Sequence, residues 1–456
     1  MTEDHHEAPP FGELGTGAAL RARVCAADRA YSWHPYTPMQ AYLDEHRPLV
    51  IGAARGARLY DLDGRSYLDG NGSWWVAVLG HGHPRLVAAL QQQAARLCHV
   101  SFAGITHEPG ALLAEELVAV APPGLARVFY SDDGSTAVEV ALKLALQYWH
   151  NQGATRRHRF VALDDAFHGD TLGACALGGI EVFRRPFAGA LCDCVHVPSP
   201  PEPGAEDEAY GRAFEALATL VRRDRDELCA VVVEPLLQGA VGMRSYAPRY
   251  LRELRALCDR HEVLLVADEV FTGYGRTGAM WACEAAGVSP DLLCTAKGFT
   301  GGVLPMAATL ATSAVFDAFL GAPARAFFHG HSFTGNPLGA AVAREVLAVF
   351  RDEAVLERAR PKAARLAEAF RRMASLPGVR SHRACGMTAA LDLAGVGGYL
   401  GRAGWRVYAE ALARGAYLRP LGDTVYVAPP LVIDDADLEE LLGIVEESVR
   451  AAVAAS

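Results

Sequence analysis

Positive charge is in short supply in this 456-residue sequence: 43 Lys and Arg stand against 53 Asp and Glu, a net charge of -10. Nucleic acid and anionic membrane both demand a basic face, so neither is expected as the main partner. No apolar run reaches the roughly 18 residues that a membrane-spanning helix requires, so no such helix is expected. The opening residues Met1-Thr2-Glu3-Asp4-His5-His6-Glu7 lack the basic start and apolar stretch of a signal peptide. No internal repeat is visible. Paired metal-ligand spacings are missing as well. Gly80-His81-Gly82-His83-Pro84 offers two histidines, too few for a site, and reads as a turn before a helix. Cys192-Asp193-Cys194-Val195-His196 has no second ligand pair, and its alternation fits a strand. No metal is expected. The 10 cysteines are scattered, mostly in apolar segments such as those of Cys98, Cys175, Cys229, Cys258 and Cys294. In a chain this long they read as reduced thiols packed as small hydrophobes, which points to the cytoplasm.

What is present is enough apolar material for a large core: 51% of residues are hydrophobic and 21% charged, so two or more domains are expected. Residues 1–28 read as a flexible N-terminal arm ending in a short helix. Residues 29–84 contain an aromatic, proline-broken segment, Tyr31 to Pro38, then strand-like pieces at 49–52 and 58–62 around an Asp63-Gly64 turn. They form an N-terminal segment expected to join the smaller domain. Residues 85–345 alternate helix patterns with short apolar runs, as a doubly wound α/β domain does. Helices are predicted near 84–97, 108–120, 135–149, 248–261 and 337–350. Strands are predicted near 127–130, 159–163, 229–234, 263–268, 292–296 and 307–311. Residues 346–456 shift to long helices and then an α+β pattern, with strands near 387–393 and 425–428, a smaller C-terminal domain.

Two of these strands share one shape. Leu264-Leu265-Val266-Ala267 ends at Asp268, and Leu293-Cys294-Thr295-Ala296 ends at Lys297. Continuous apolar runs mark parallel strands buried on both faces. Ligands of open α/β sheets sit outside the carboxyl ends of the strands. Asp268 and Lys297 therefore project into one crevice, and Val231-Val232-Val233 adds Glu234 at the same edge. A buried lysine loses its charge easily and becomes a Schiff-base nucleophile. An Asp beside it suits a pyridine nitrogen that must stay protonated, the pattern expected for pyridoxal phosphate. Taken alone, the pair reads equally well as a surface Lys and a capping Asp.

Other segments bear on that choice. Ser131-Asp132-Asp133-Gly134-Ser135-Thr136 is a strand end, a turn and a helix start, with free N–H groups and hydroxyls for a phosphate. By itself it reads better as an ordinary cap around Ser135 and Glu139. Asp165 to Thr171 leaves a strand: Phe167 could lie flat on a cofactor ring, His168 reads as structural, and Asp170 contacts a substrate amine or caps a turn. Gly70-Asn71-Gly72-Ser73-Trp74-Trp75 is a glycine-rich loop whose adjacent tryptophans rarely face one way, so one is expected at a cavity. Gly273-Tyr274-Gly275-Arg276-Thr277-Gly278 matches G-x-G-x-x-G but neither follows a strand directly nor opens a helix. It reads as a loop carrying Arg276 toward the crevice rather than a dinucleotide site. His329 to Leu338 is a glycine-rich loop of the kind found where backbone approaches a ligand or another chain.

In order, the Gly134-Ser135 turn, Phe167-His168-Gly169, Glu234-Pro235, Asp268-Glu269-Val270, the loop 273–278, Lys297-Gly298 and Gly335-Asn336-Pro337 resemble the class III, or ω-type, pyridoxal-phosphate aminotransferases. The resemblance spans about residues 30–440. It implies fold type I, a large doubly wound, mostly parallel-sheet domain plus a smaller α+β domain. It implies pyridoxal 5'-phosphate on Lys297, with Asp268 on the ring nitrogen. Gly134 and Ser135 would hold the phosphate. Phe167, Glu234 and Val270 would lie beside the cofactor. His331 and Ser332 would complete the phosphate cup from the other subunit of a homodimer with shared sites. Substrate would meet Tyr36, Trp74, Phe167, Asp170, Arg276, Lys297, Gly330 and Tyr426, with Arg419 on a carboxylate.

Trp33 to Thr37, Ser73-Trp74-Trp75, Gly104 to His107 and Leu418 to Gly422 resemble the members of that class that act in biotin biosynthesis. That likeness implies S-adenosylmethionine as amino donor and 8-amino-7-oxononanoate as acceptor. Lysine as donor, another ω-aminotransferase acting on ornithine, 4-aminobutyrate or a diamine, and a non-catalytic regulator are the alternatives. The last lacks any visible partner-binding or DNA-binding module. Two residues depart from the pattern: Phe167 stands where members often have Tyr, and Asp133 where a serine is expected.

Overall fold

The computed structural model describes residues 17–45 and 47–454. Its centre is a seven-stranded sheet in the order Leu125–Ser131, Ala307–Thr312, Leu292–Thr295, Leu264–Asp268, Leu228–Val233, Arg159–Leu163, Cys194–Val197. Ala307–Thr312 runs antiparallel to both its neighbours, and the other strands of the sheet pair in parallel. The apolar runs explain the position of these strands. Every residue of Leu228–Val233, Leu264–Asp268 and Leu292–Thr295 is buried, because helices cover both faces.

Those helices follow from periodicity. Pro248–His261 opens on proline, which fits a first turn, and buries Tyr250, Leu251, Leu254, Leu257 and Cys258, a stripe at three- and four-residue steps. It stops at Glu262, which takes a left-handed conformation, φ 53°. Helices Pro84–Arg96, Glu108–Val120, Gly134–Asn151 and Pro337–Asp352 lie where their patterns place them. Among the described residues, no helix is long and apolar enough to cross a membrane.

The C-terminal part holds an antiparallel sheet of Val379–Cys385, Thr388–Leu393 and Thr424–Val427. The N-terminal strands Ile51–Arg55, Arg58–Asp61 and Ser66–Asp69 form a second sheet, which Ala416–Tyr417 joins in parallel to Ser66–Asp69. One pairing thus ties residues near 69 to residues near 417. The arm expected at 1–28 lies outside the described residues as far as 16. Its remainder belongs to a full helix, Ala18–Tyr31, which buries none of its side chains. Asp207–Asp224, an 18-residue helix with buried Ala213, Leu217, Ala218, Leu220 and Val221, was not anticipated. The proline-rich run just before it reads as a loop and hides the helix start.

Candidate active site

All the parallel strands end at one edge of the large sheet. Asp268 pairs in register with Cys294, and the next strand releases the chain into a short turn opened by Lys297. Lys297 has φ 49°, a left-handed conformation that costs a non-glycine residue energy and is concentrated at functional sites. Gly298 must follow it: a Cβ there would lie 2.8 Å from the Cβ of Tyr274. Burial pushes the Lys297 ammonium pKa down, against the pull of Asp268 and Glu234. The amine therefore becomes neutral more easily than a surface lysine.

Asp268 is 4% exposed and held from two sides. His168 Nδ1 lies 2.7 Å from its Oδ2, and the Val270 N–H donates to Oδ1 at 3.0 Å. Burial alone would lower the His168 pKa, but its hydrogen bond to Asp268 and the Asp268 charge raise it. Its Nε2 is buried with no hydrogen-bond partner among the described residues. Glu234 accepts the N–H groups of Phe167, at 3.1 Å, and Gly239, at 3.0 Å. Burial pushes its carboxyl up to about 7.

The phosphate-type turn is capped differently from expectation. Asp133, not Ser135, is the N-cap: its Oδ1 accepts the Thr136 N–H, and Thr136 Oγ1 accepts the Asp133 N–H, each at 2.9 Å. Glu139 is used elsewhere, accepting the N–H of Gly173 at 2.7 Å. The carboxylate of Asp133 is exposed and engaged in the cap. Ser135 Oγ accepts the Asp170 N–H at 3.2 Å, leaving the hydroxyl proton to give. Gly134 and Ser135 sit in the first turn, where backbone N–H groups have no acceptor within the helix. Two glycines make the turn fit. A Cβ on Gly134 would lie 2.7 Å from Val270 Cγ1, and one on Gly169, φ +130°, only 2.4 Å from Ser135 Oγ.

Gly134, Ser135, Phe167, Glu234, Asp268, Val270 and Lys297 all line one cavity of about 410 Å³. This set fits pyridoxal phosphate. Unsatisfied N–H groups stand at one end, a doubly anchored carboxylate and a primary amine beside it, and Phe167 and Val270 offer apolar surface for a planar ring. The same cavity contains Trp75, the other member of the tryptophan pair of which Trp74 was the one expected at the site. Lys297 Nζ lies 5.0 Å from the Trp75 ring centre.

Residues 72–75 explain why Trp75 and not Trp74 is inside. Gly72, Ser73, Trp74 and Trp75 have φ of 54°, 45°, 63° and 75°, one turn of left-handed helix. That conformation costs roughly 1–2 kcal/mol per non-glycine residue. Trp75 is 5% exposed and donates from Nε1 to the Tyr426 hydroxyl at 3.1 Å; Trp74 is 41% exposed.

Trp74 instead belongs to a second cluster at the mouth. Tyr36 packs on Trp74 with ring centres 5.4 Å apart, and the Tyr36 hydroxyl donates to Asp170. The Arg419 guanidinium lies 4.9 Å from the Trp74 ring centre and donates to the Tyr36 carbonyl at 3.0 Å. Asn71 Oδ1 accepts the Arg419 backbone N–H at 2.5 Å. Four predicted substrate residues, Tyr36, Trp74, Asp170 and Arg419, are thus brought together, and Asn71, which donates from Nδ2 to the Tyr426 carbonyl at 3.3 Å, links Tyr426 to Arg419.

Arg276 is not brought to the cavity. It is fully buried and donates from Nη1 to the carbonyls of Met387, at 2.9 Å, and Pro429, at 2.8 Å. The loop 273–278 turns it inward, so it pins the C-terminal segments at Met387 and Pro429 to this loop. Gly330, His331 and Ser332 lie on a surface loop, with Gly330 and Ser332 exposed and His331 Nδ1 2.9 Å from Asp132 Oδ2.

Comparison with known proteins agrees with this geometry. A family model described as class-III aminotransferase matches residues 40–449. The adenosylmethionine-8-amino-7-oxononanoate aminotransferase of Nitratidesulfovibrio vulgaris is 45% identical, over 96% of this chain and 83% of its own. Its namesake from Geobacter sulfurreducens is 41% identical, over 93% and 96%. The crystal structure of the protein of that name from Methanocaldococcus jannaschii superposes with a TM-score of 0.90 at 33% identity, covering 94% of this chain and 99% of the other. A PLP-bound amine transaminase from an uncultivated Pseudomonas species gives a TM-score of 0.86 at 32% identity, covering 93% and 98%.

Proposed function

We propose that this chain, which belongs to the class-III aminotransferases, moves an amino group from S-adenosylmethionine to 8-amino-7-oxononanoate, giving 7,8-diaminononanoate for biotin biosynthesis. The observation that carries the reading is the two-part site: a desolvated lysine facing a fixed aspartate, and beyond it an aromatic mouth with one arginine. The names of the relatives supply the substrates.

Bound pyridoxal phosphate supplies an electron sink for the carbon that bears the amino group. The chain's own residues do the rest, in two half-reactions at one site. Asp268, fixed by His168 and the Val270 N–H, presents a carboxylate that would keep a ring nitrogen protonated. Gly134 and Ser135 would hold the phosphate. Lys297 Nζ would take the proton from the carbon that loses the nitrogen and return it, from the same face, to the carbon that gains it, as a positioned base of lowered pKa can. Arg419, oriented by Asn71 and the Tyr36 carbonyl, pairs with the acceptor carboxylate. Tyr36 and Trp74 wall the acceptor chain, and Trp75 and Tyr426 narrow the passage to Lys297. Without the hydroxyl expected at position 167, Phe167 offers only its apolar ring.

The enzyme works as a homodimer in the cytoplasm. Its loop at Gly330, His331 and Ser332 completes the phosphate cup of the second subunit. Exposed Phe328 and Phe333 beside that loop, 83% and 60% exposed, support a protein neighbour there. Residues 85–345 act as the cofactor domain, and 29–84 with 346–456 supply the substrate side.

A donor test decides the reading. Cofactor-loaded protein is given S-adenosylmethionine or lysine without acceptor, and the cofactor's visible band is followed. Loss of the band with S-adenosylmethionine alone is expected. A response to lysine alone would replace the donor. A response only to ornithine or 4-aminobutyrate would discard the biotin assignment.

A further inference from the structure

The aromatic mouth does not end at Tyr36. Its ring meets Phe183 edge-on at 5.4 Å, and Phe183 meets Phe167 of the cavity at 5.9 Å. Phe183 in turn packs edge-on against Tyr399, ring centres 4.7 Å apart. Trp74, Tyr36, Phe183 and Tyr399 therefore form one continuous aromatic wall leading outward from the cofactor cavity.

Tyr399 comes from a loop that has no evident reason to be ordered by its own packing. Val396 and Leu400 beside it are 92% and 69% exposed. The loop is instead wound around one buried carboxylate. Asp423, 6% exposed, accepts the N–H of Gly397 on Oδ2 and of Ala403 on Oδ1, each at 2.8 Å. A Cβ on Gly395 or Gly401 would lie 2.1 or 2.4 Å from that carboxylate, so both positions require glycine. The chain then enters helix Ala403–Arg414, whose Trp405 ring centre lies 5.8 Å from the Arg419 guanidinium. One glycine-rich segment thus delivers an aromatic ring on each side of the mouth.

We infer that Tyr399, held by the loop around Asp423, is a specificity-determining residue that presents its ring to the sulfonium of the amino donor. The inference rests on the donor proposed above. A sulfonium carries a fixed positive charge on a soft, apolar centre, which aromatic faces attract as they do quaternary ammonium groups. The acceptor keto acid carries its one cationic group, the 8-amino nitrogen, beside the reacting carbonyl and none farther along its chain, so the ring serves one substrate and not the other. Arg419, the cation already at this mouth, stacks on Trp74 and leaves Tyr399 and Phe183 for the donor.

The test separates the two half-reactions in cofactor-loaded protein. Tyr399→Leu keeps apolar bulk and removes the ring; Tyr399→Phe keeps the ring. Tyr399→Leu is expected to raise the KM for S-adenosylmethionine on the order of tenfold, as loss of one such contact does. The acceptor half-reaction should change less than about twofold, within ordinary mutational scatter. Tyr399→Phe should behave as the parent. As a binding readout, the parent should prefer the sulfonium over its neutral thioether, S-adenosylhomocysteine, and Tyr399→Leu should lose that preference. Equal damage to both half-reactions, or an unchanged donor KM, would overturn the inference and leave the function standing. A parent protein inert to S-adenosylmethionine would overturn both.

Discussion

At the residue scale, the carboxylate Glu234 has the most distinctive environment. Its side chain is buried between two backbone N–H groups beside His168 and Asp268, and burial pushes its pKa up to about 7. In the unfolded chain it ionises in the ordinary glutamate range. Between those limits the folded protein binds more protons than the unfolded one, so Glu234 lowers stability as pH rises through that window. Glu234→Gln removes this dependence. The cofactor-free variant should lose stability at pH 5 from a broken backbone contact, then gain on the parent by up to about 3 kcal/mol at pH 8. Chemical denaturation at the two pH values measures the difference; a pH-independent difference would show that Glu234 stays ionised throughout. The strand-end residues Glu234, Asp268 and Lys297 were legible in the sequence because each terminates an apolar run. Trp75 was not, because choosing between neighbours requires knowing that residues 72–75 turn left-handed. Arg276 misled for the same reason: a loop without periodicity says nothing about which way its arginine faces.

At the scale of elements, the phosphate end depends on a close fit between the start of helix Gly134–Asn151 and the turn at Gly169. Gly169 has φ +130° and stands where a Cβ would strike Ser135 Oγ. Gly169→Ala is expected to displace Ser135 and raise the cofactor Kd at least about tenfold, the loss of one charge-assisted hydrogen bond. Equilibrium dialysis against pyridoxal phosphate measures it; an unchanged Kd would remove Ser135 from the phosphate cup. Strands and helices with strong periods were legible nearly to the residue, Arg159–Leu163 and Pro248–His261 among them. Caps were harder to read. Serine and aspartate both cap helices well, and only the geometry shows Asp133 taking that role, which frees Ser135. The loop 394–402 was illegible because its order comes from Asp423, over twenty residues later, rather than from any local pattern.

At the scale of the whole molecule, the sheet edge and the C-terminal segments meet around one site. The parallel pairing of Ala416–Tyr417 with Ser66–Asp69 sets Arg419 against Asn71 and the Tyr36 backbone. Buried Arg276, bonded to the Met387 carbonyl, and the Arg383 bond to the Gly242 carbonyl, at 2.6 Å, tie the C-terminal sheet to the loops around residues 242 and 276. A single cavity next to Lys297 must then serve donor and acceptor in turn, and the transferred nitrogen must wait on the protein between them. The most direct measurement uses S-adenosylmethionine carrying a heavy-nitrogen amino group, with unlabelled 8-amino-7-oxononanoate, and mass spectrometry of the product. The expected product is 7,8-diaminononanoate with one heavy nitrogen. Product formed without the label would contradict that expectation.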